Sequence, residues 1–381
     1  MGKFITFGKP QFNKYEFNEI KKVLKSGWVG TGEKTLEFEK KFLKYIKAKY
    51  GIALNSCTSS LYLSLFLSKI KPGDEVITTS LTFCSTVNSI INIGAKPVLV
   101  DINLNSLQID EKEIEKKINK KTKAIIVVHM HGYPANIRKI VSISKKYSLK
   151  IIEDCAHSIE TKYFKKNVGT FGDFGCFSFY STKNLTTVEG GMLVCKNKSD
   201  LIKAKILSLH GMSRDAHSRF SKKDYKKYDV IYPGFKMNMP NLNAALGIIQ
   251  LSKIKENRVK RKKIWEKYQK EFANTKFIRP LDIAKNHTHS YHIYYLRLSK
   301  KSKYSRDQIM KILHKNGIGV ALHYDSISHF SFYKKYLKNQ KFINSEKYGK
   351  SAFSIPLTPY LTEREVNKII KIIIKIDNEN K

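Results

Sequence analysis

The sequence predicts an α/β protein: a large domain on a mostly parallel sheet, then a smaller domain. Three observations lead there. The chain has 381 residues, 41% of them hydrophobic, which is too long for one simple core and rich enough for a full one. Its first half alternates short apolar runs with longer amphipathic ones, the pattern of βαβ units. After about residue 240 the texture changes to sustained helical periodicity.

The expected strands, in order, are "EVITTS" (75–80), "KPVLVD" (96–101), "AIIVVHM" (124–130), "KIIED" (150–154), "GCFSFY" (175–180) and "GMLVC" (191–195). Their Val/Ile runs are continuous rather than alternating, as in strands covered on both faces. Helical patterns such as "SSLYLSLFLSKI" (59–70) and "RKIVSISKKYS" (138–148) lie between several of them. From about 240 to 274 the period of a single long helix continues, linking two domains. A strand (290–299), a helix (305–317), a strand (318–324) and a last helix (362–376) are expected beyond it. Thr362 and Glu365 have the spacing of a capping box at the start of that last helix.

Composition excludes several classes. No apolar run approaches the roughly 20 residues that span a bilayer, and the opening "MGKFITFGKPQFNKYEF" lacks the apolar block of a secretory signal. The start matches the myristoylation pattern M-G-x-x-x-[ST] only formally. The five cysteines have no C-x-x-C pair and lie in or beside apolar segments, so buried free thiols in a reducing cytoplasm are expected, with no metal site. The net charge is +39, but arginine supplies only nine of the 71 basic residues and lysine is spread along the chain. No nucleic-acid module accompanies the charge, which reads as solvated faces that also favour an anionic substrate.

Chemistry concentrates at strand ends. Asp154 ends an apolar strand, where open parallel sheets bind ligands. Ser56, Thr58, Ser59 and Ser60 precede an apolar helix, whose free N–H groups suit a phosphate. Lys183 follows the strand "GCFSFY" and precedes "TTVEGG". A lysine facing a cleft there can lose its proton and form a Schiff base. Singly, these read as an ion-paired acid, an N-cap and a surface lysine. Together they match pyridoxal 5'-phosphate, whose phosphate, ring nitrogen and aldehyde need those three partners.

With these residues in view, the chain resembles the sugar aminotransferases of the DegT/DnrJ/StrS type. The matching segments run in order along nearly the whole length: "GWVGTG" (27–32), "NSCTSSL" (55–61), "PGDEVITTSLTFCSTVNSI" (72–90), "EDCAHS" (153–158), "FSFYSTKNLTTVEGG" (177–191), "LHGMSRDA" (209–216), "YPGFKMNMPNLNAALGIIQL" (232–251) and "SIPLTPYLTEREV" (354–366). The resemblance implies a fold-type I pyridoxal phosphate enzyme. It would have a mostly parallel seven-stranded sheet in residues 1–250 and a smaller α+β domain in 251–381. Lys183 would be catalytic, holding the cofactor covalently and then moving the proton. Asp154 would pair with the ring nitrogen, and His157 would contact the phenolic oxygen, where many relatives have Gln. Phe83 would stack on the ring. Thr58, Ser59 and Ser178 would bind the phosphate, with Asn238 reaching it from the other subunit of a homodimer.

The implied reaction takes the amino group of L-glutamate to a keto-sugar carried on UDP, GDP or dTDP. His210, Arg214, His323 and His329 are the candidate substrate contacts, with Arg219 nearby in sequence. Relatives often carry "HY-x-P-x-H" where this chain has "HYDSISHF" (323–330), with Ser326 in the proline position. The wording of "GMSRDA" and "SLTFCSTVNSI" leans towards amination at C4 of a 4-keto-6-deoxy sugar, in amino-sugar and surface-glycan synthesis. Amination at C3 is the near alternative. A non-catalytic, cofactor-binding regulator is the alternative of a different class; it predicts damage to Lys183, Asp154 or the cradle, and none is present.

Overall fold

A computed structural model describes residues 4–213, 227–337 and 340–380. At its centre is a seven-stranded sheet in the order β1-β9-β8-β5-β4-β2-β3. The strands are β1 (Tyr50–Leu54), β2 (Glu75–Thr79), β3 (Lys96–Val100), β4 (Thr122–Val128), β5 (Lys150–Asp154), β8 (Phe174–Ser178) and β9 (Gly191–Cys195). A short hairpin of β6 (Lys162–Tyr163) and β7 (Lys166–Asn167) stands apart from the sheet. β9 runs antiparallel to both neighbours, and every other pairing in the sheet is parallel.

Both faces of the sheet are covered. Along β4, Ala124 and Ile126 join one core with helix α3 (Cys57–Leu67), while Ile125 and Val127 join another with helix α6 (Ile137–Lys146). Alternation of side chains along a strand sends neighbours to opposite faces, which is why these strands read as continuous apolar runs.

The long helix Asn241–Glu271 has 31 residues, about 46 Å at 1.5 Å per residue. Its first part (Ala244, Ile248, Leu251, Ile254) packs with Phe38 and Phe179 of the sheet region. Its last part (Trp265, Tyr268) enters a separate aromatic core with Phe272, Tyr294 and Phe353. That core is closed by an antiparallel pair, β10 (Tyr294–Arg297) and β11 (Ala352–Ile355), and by the helix Glu363–Glu379. The capping box at Thr362 and Glu365 is present.

Two expectations change. The expected strand 318–324 is not a regular strand: it makes only isolated bridges, Ile318 to Ile5 and Ala321 to Ser354. A side chain at Gly319 would press on the backbone of Ile5 and Phe7, so this stretch threads past the N-terminal segment and turns His323 and Tyr324 towards the sheet. β1 and β11 are additions to the expected strands.

Candidate active site

Strands β5 and β8 lie side by side and parallel, so Asp154 and Ser178 finish at the same end of the sheet. β1 ends there too and leads into α3. Ser56 caps α3: its hydroxyl accepts the Ser59 N–H at 3.0 Å, so the free N–H groups of the first turn open onto this edge. Gly191 lies against that turn; a Cβ there would meet the Ser56 carbonyl carbon and oxygen at 2.4 Å.

A cleft of about 410 Å³ results. Thr58, Phe83, Asp154, His157, Ser178, Lys183 and His323 all line it. These residues, far apart in sequence, are thus brought together as the candidate site. Ser59 sits one turn behind Ser56, its hydroxyl donating to Asn55 Oδ1 at 2.6 Å. Asn238 lies outside the lining of its own chain's cleft. Its Nδ2 donates to Thr31 Oγ1 at 2.6 Å, leaving a second N–H, and its buried Oδ1 has no hydrogen-bond partner among the described residues. His210 is exposed and does not line the cleft. His329 also lies outside the lining, its Nδ1 2.5 Å from Asp325 Oδ1. Arg214 and Arg219 fall outside the described residues.

The electrostatics follow from burial. The Lys183 ammonium is pulled down to about 8 by burial, against the raising influence of Cys57 and Asp154. Burial raises the Asp154 carboxyl, while the Ala156 N–H (3.1 Å), the Thr86 hydroxyl (2.9 Å) and Lys183 act to keep it ionised. The His157 imidazole is held well below its ordinary value by burial and by the Lys183 charge. Its Nε2 faces the Tyr324 hydroxyl at 2.9 Å, and the Tyr324 ring lies 5.6 Å from Phe83.

Thr86 and Tyr324 were not singled out in the sequence. Thr86 receives the Thr82 hydroxyl at 2.8 Å and passes its own to Asp154 Oδ2. Only its place in the "SLTFCSTVNSI" segment pointed to it; Tyr324 likewise stood unremarked inside "HYDSISHF". The buried trio His129, Glu153 and Cys155 has ligand-type atoms within 4.8 Å of one another. The Glu153 carboxylate there already accepts the N–H groups of Gly169, Phe171 and Gly172 and faces His129 Nε2. Glu153 therefore pins the loop before β8. The five cysteines are free; all are buried except Cys84, which is half-buried.

A buried carboxyl, an amine with depressed basicity and a helix N-terminus now share one cleft. This donor set fits pyridoxal phosphate. Comparison with known proteins agrees with that chemistry. The chain is 37% identical over 374 residues to the spore coat polysaccharide biosynthesis protein SpsC of Bacillus subtilis, covering 97% of this chain and 96% of that one. Its fold superposes on PseC of Helicobacter pylori, an aminotransferase involved in the biosynthesis of pseudoaminic acid, with a TM-score of 0.92 and 28% identity over 99% of this chain and 100% of that one. It also superposes on Spr1654 of Streptococcus pneumoniae, assigned as a sugar aminotransferase and solved in a PLP form, with a TM-score of 0.91 and 28% identity over 99% and 100% of the two chains. Residues 10–374 match the DegT/DnrJ/EryC1/StrS aminotransferase family, and the chain belongs to that family of enzymes.

Proposed function

We propose that this aminotransferase uses pyridoxal 5'-phosphate to move the amino group of L-glutamate to a nucleotide-linked keto-sugar, at C4 of a 4-keto-6-deoxy sugar. The product would serve amino-sugar and surface-glycan synthesis. The observation that carries the reading is the meeting of Lys183, Asp154 and the N-terminus of α3 in one cleft. When bound, the cofactor would supply an electron sink and carry the amino group between substrates.

The chain's own residues have separable tasks in this reading. Lys183 Nζ attaches the cofactor and later moves a proton to and from the substrate carbon, for which a basicity near neutrality suits it. Asp154 holds a protonated ring nitrogen, and Thr86 holds Asp154. Thr58, Ser59, Ser178 and the first turn of α3 take the phosphate. Phe83 would cover the ring, and His157 would face its phenolic oxygen. Asn238 would enter the cleft of a second copy, which makes the functional unit a homodimer. The net charge of +39 favours a nucleotide diphosphate, and His323, with His210, Arg214 and His329, would read the rest of the acceptor.

The relatives support the direction of this reading: SpsC is named for spore coat polysaccharide biosynthesis and PseC for the biosynthesis of pseudoaminic acid. The test is incubation with L-glutamate and a panel of UDP-, GDP- and dTDP-linked 4-keto and 3-keto sugars. Expected are equal amounts of 2-oxoglutarate and an amino-sugar nucleotide, with nitrogen at C4 by NMR. Nitrogen at C3 would overturn the positional claim, and conversion of none of the panel would overturn the acceptor class.

A further inference from the structure

Next to Lys183 in the chain, half-buried Asn184 joins a polar network whose other members, Glu160, Arg261, Ser290 and His292, are buried. Asn184 donates through Nδ2 to Glu160 Oε2 at 2.7 Å and to the Ser290 carbonyl at 2.9 Å. These two bonds fix which way its amide points. Oδ1 is then an acceptor, and His292 Nδ1, 3.0 Å away, must carry the hydrogen. Glu160 Oε1 in turn holds Arg261 Nη2 at 2.5 Å; both side chains are 1% exposed. Arg261 Nε donates to the same Ser290 carbonyl at 3.4 Å.

Ser290 therefore has contacts on two sides. Its carbonyl is shared by Asn184 and Arg261, and its hydroxyl donates to the His157 carbonyl at 2.7 Å. The His292 ring lies 4.9 Å from that of His157. Space here is closely filled: a Cβ on Gly132 would meet Ser290 Oγ at 2.0 Å. One connected set of groups thus touches the residue after Lys183 and the backbone of His157, and it is anchored on the long helix by Arg261.

An ion pair as deeply buried as Arg261–Glu160 is a weak source of stability, because desolvation offsets its attraction. Its geometry suits a different purpose. We propose that Asn184, His292, Ser290 and the Glu160–Arg261 pair are positioning residues that fix Lys183 relative to His157. This deepens the aminotransferase reading and rests on it.

The test uses the full-length protein loaded with pyridoxal phosphate, in wild type and in Asn184→Ala, His292→Leu and His292→Asn. Asn keeps an N–H donor near the place of Nδ1, and Leu does not. The first readout is the midpoint of the pH-dependent shift of the visible absorption band, which a merely structural role would not move. The second is the split between kcat and KM for L-glutamate. Asn184→Ala and His292→Leu are expected to move the midpoint by roughly one pH unit and to lower kcat ten- to a hundredfold, as misplacement by about an ångström does, with KM changed less than about threefold. His292→Asn is expected to return both towards wild type. If both loss variants keep the wild-type midpoint and kcat and lose only thermal stability, the positioning claim is wrong. If Asn184→Ala does not fold, the two His292 variants decide alone. If the wild type itself forms no visible band, the aminotransferase reading fails and this inference goes with it.

Discussion

Lys183 and Asp154 owe their chemistry to where they sit. A lysine pulled down to about 8 has an appreciable neutral fraction near pH 7.5, and only the neutral amine attacks an aldehyde. The rate at which the cofactor-free protein captures pyridoxal phosphate should therefore rise with pH up to about 8 and level off above it. Stopped-flow absorbance would show this, and a rate still climbing towards 10.5 would contradict the burial argument. Thr86 is the support that Asp154 relies on. Thr86→Val removes a hydrogen bond to a buried carboxylate, a loss of about 1.5–3 kcal/mol. A ten- to hundredfold weaker Kd for pyridoxal phosphate is expected, and an unchanged Kd would show that Thr86 is not needed. Lys183 and Asp154 were legible because Asp154 ends an apolar run and Lys183 follows one closely. Thr86 was not, because it acts through a side-chain contact across 68 positions in the chain, which no local pattern records. Asn238 and His329 show the same limit: what they touch depends on distant or neighbouring segments.

Among elements, the six apolar strands β2, β3, β4, β5, β8 and β9 were legible in order. β1 was not: "YGIAL" has a single β-branched residue, and Gly51 is there because a Cβ would meet Leu43 and the Leu193 carbonyl at 2.8–2.9 Å. Its place between α2 (Glu33–Ile46) and β9 is a matter of packing, not propensity. The segment 318–324 failed the other way. Its apolar residues suggested a strand, but its pairing is taken up by the N-terminal segment and by β11 at single points. Element contacts also explain Gly191, the glycine that opens β9. Gly191→Ala would force α3 and β9 apart, since the atoms in the way are backbone. A loss of about 1–3 kcal/mol in stability is expected from such overpacking, together with weaker phosphate retention. Denaturant melts and cofactor titration would check both, and a variant with wild-type values would contradict the close approach.

Over the whole molecule, the positive charge and the buried histidines pull in different directions. Many of the described lysines lie at exposed positions on helices and loops, and no described helix is long and apolar enough to cross a membrane. Histidines, in contrast, gather inside. Burial pulls His131 down to about 4 and His289 to about 3, and it holds His157, His292 and His323 well below their ordinary value. In the unfolded chain each would take a proton near pH 6.5, while the folded state refuses it until lower pH. Stability should therefore fall as pH drops from about 6.5 towards 4, each unmatched proton adding about 1.4 kcal/mol per pH unit to the slope. Glu39, raised to about 7 by burial, opposes this, as do Asp154 and Glu160, whose carboxyls burial also raises. Urea midpoints at pH 7.5, 6 and 5 would test it, and equal midpoints would contradict it.

The central claim is that Lys183 carries pyridoxal phosphate and that L-glutamate supplies the amino group. The most direct measurement is the visible spectrum of the purified protein with the cofactor, before and after L-glutamate, beside Lys183→Ala. A yellow band that vanishes on adding L-glutamate and is missing in the variant is the predicted result. A wild type that forms no band, or a variant that matches it, would contradict the claim; a wild-type band that L-glutamate leaves unchanged would contradict the donor.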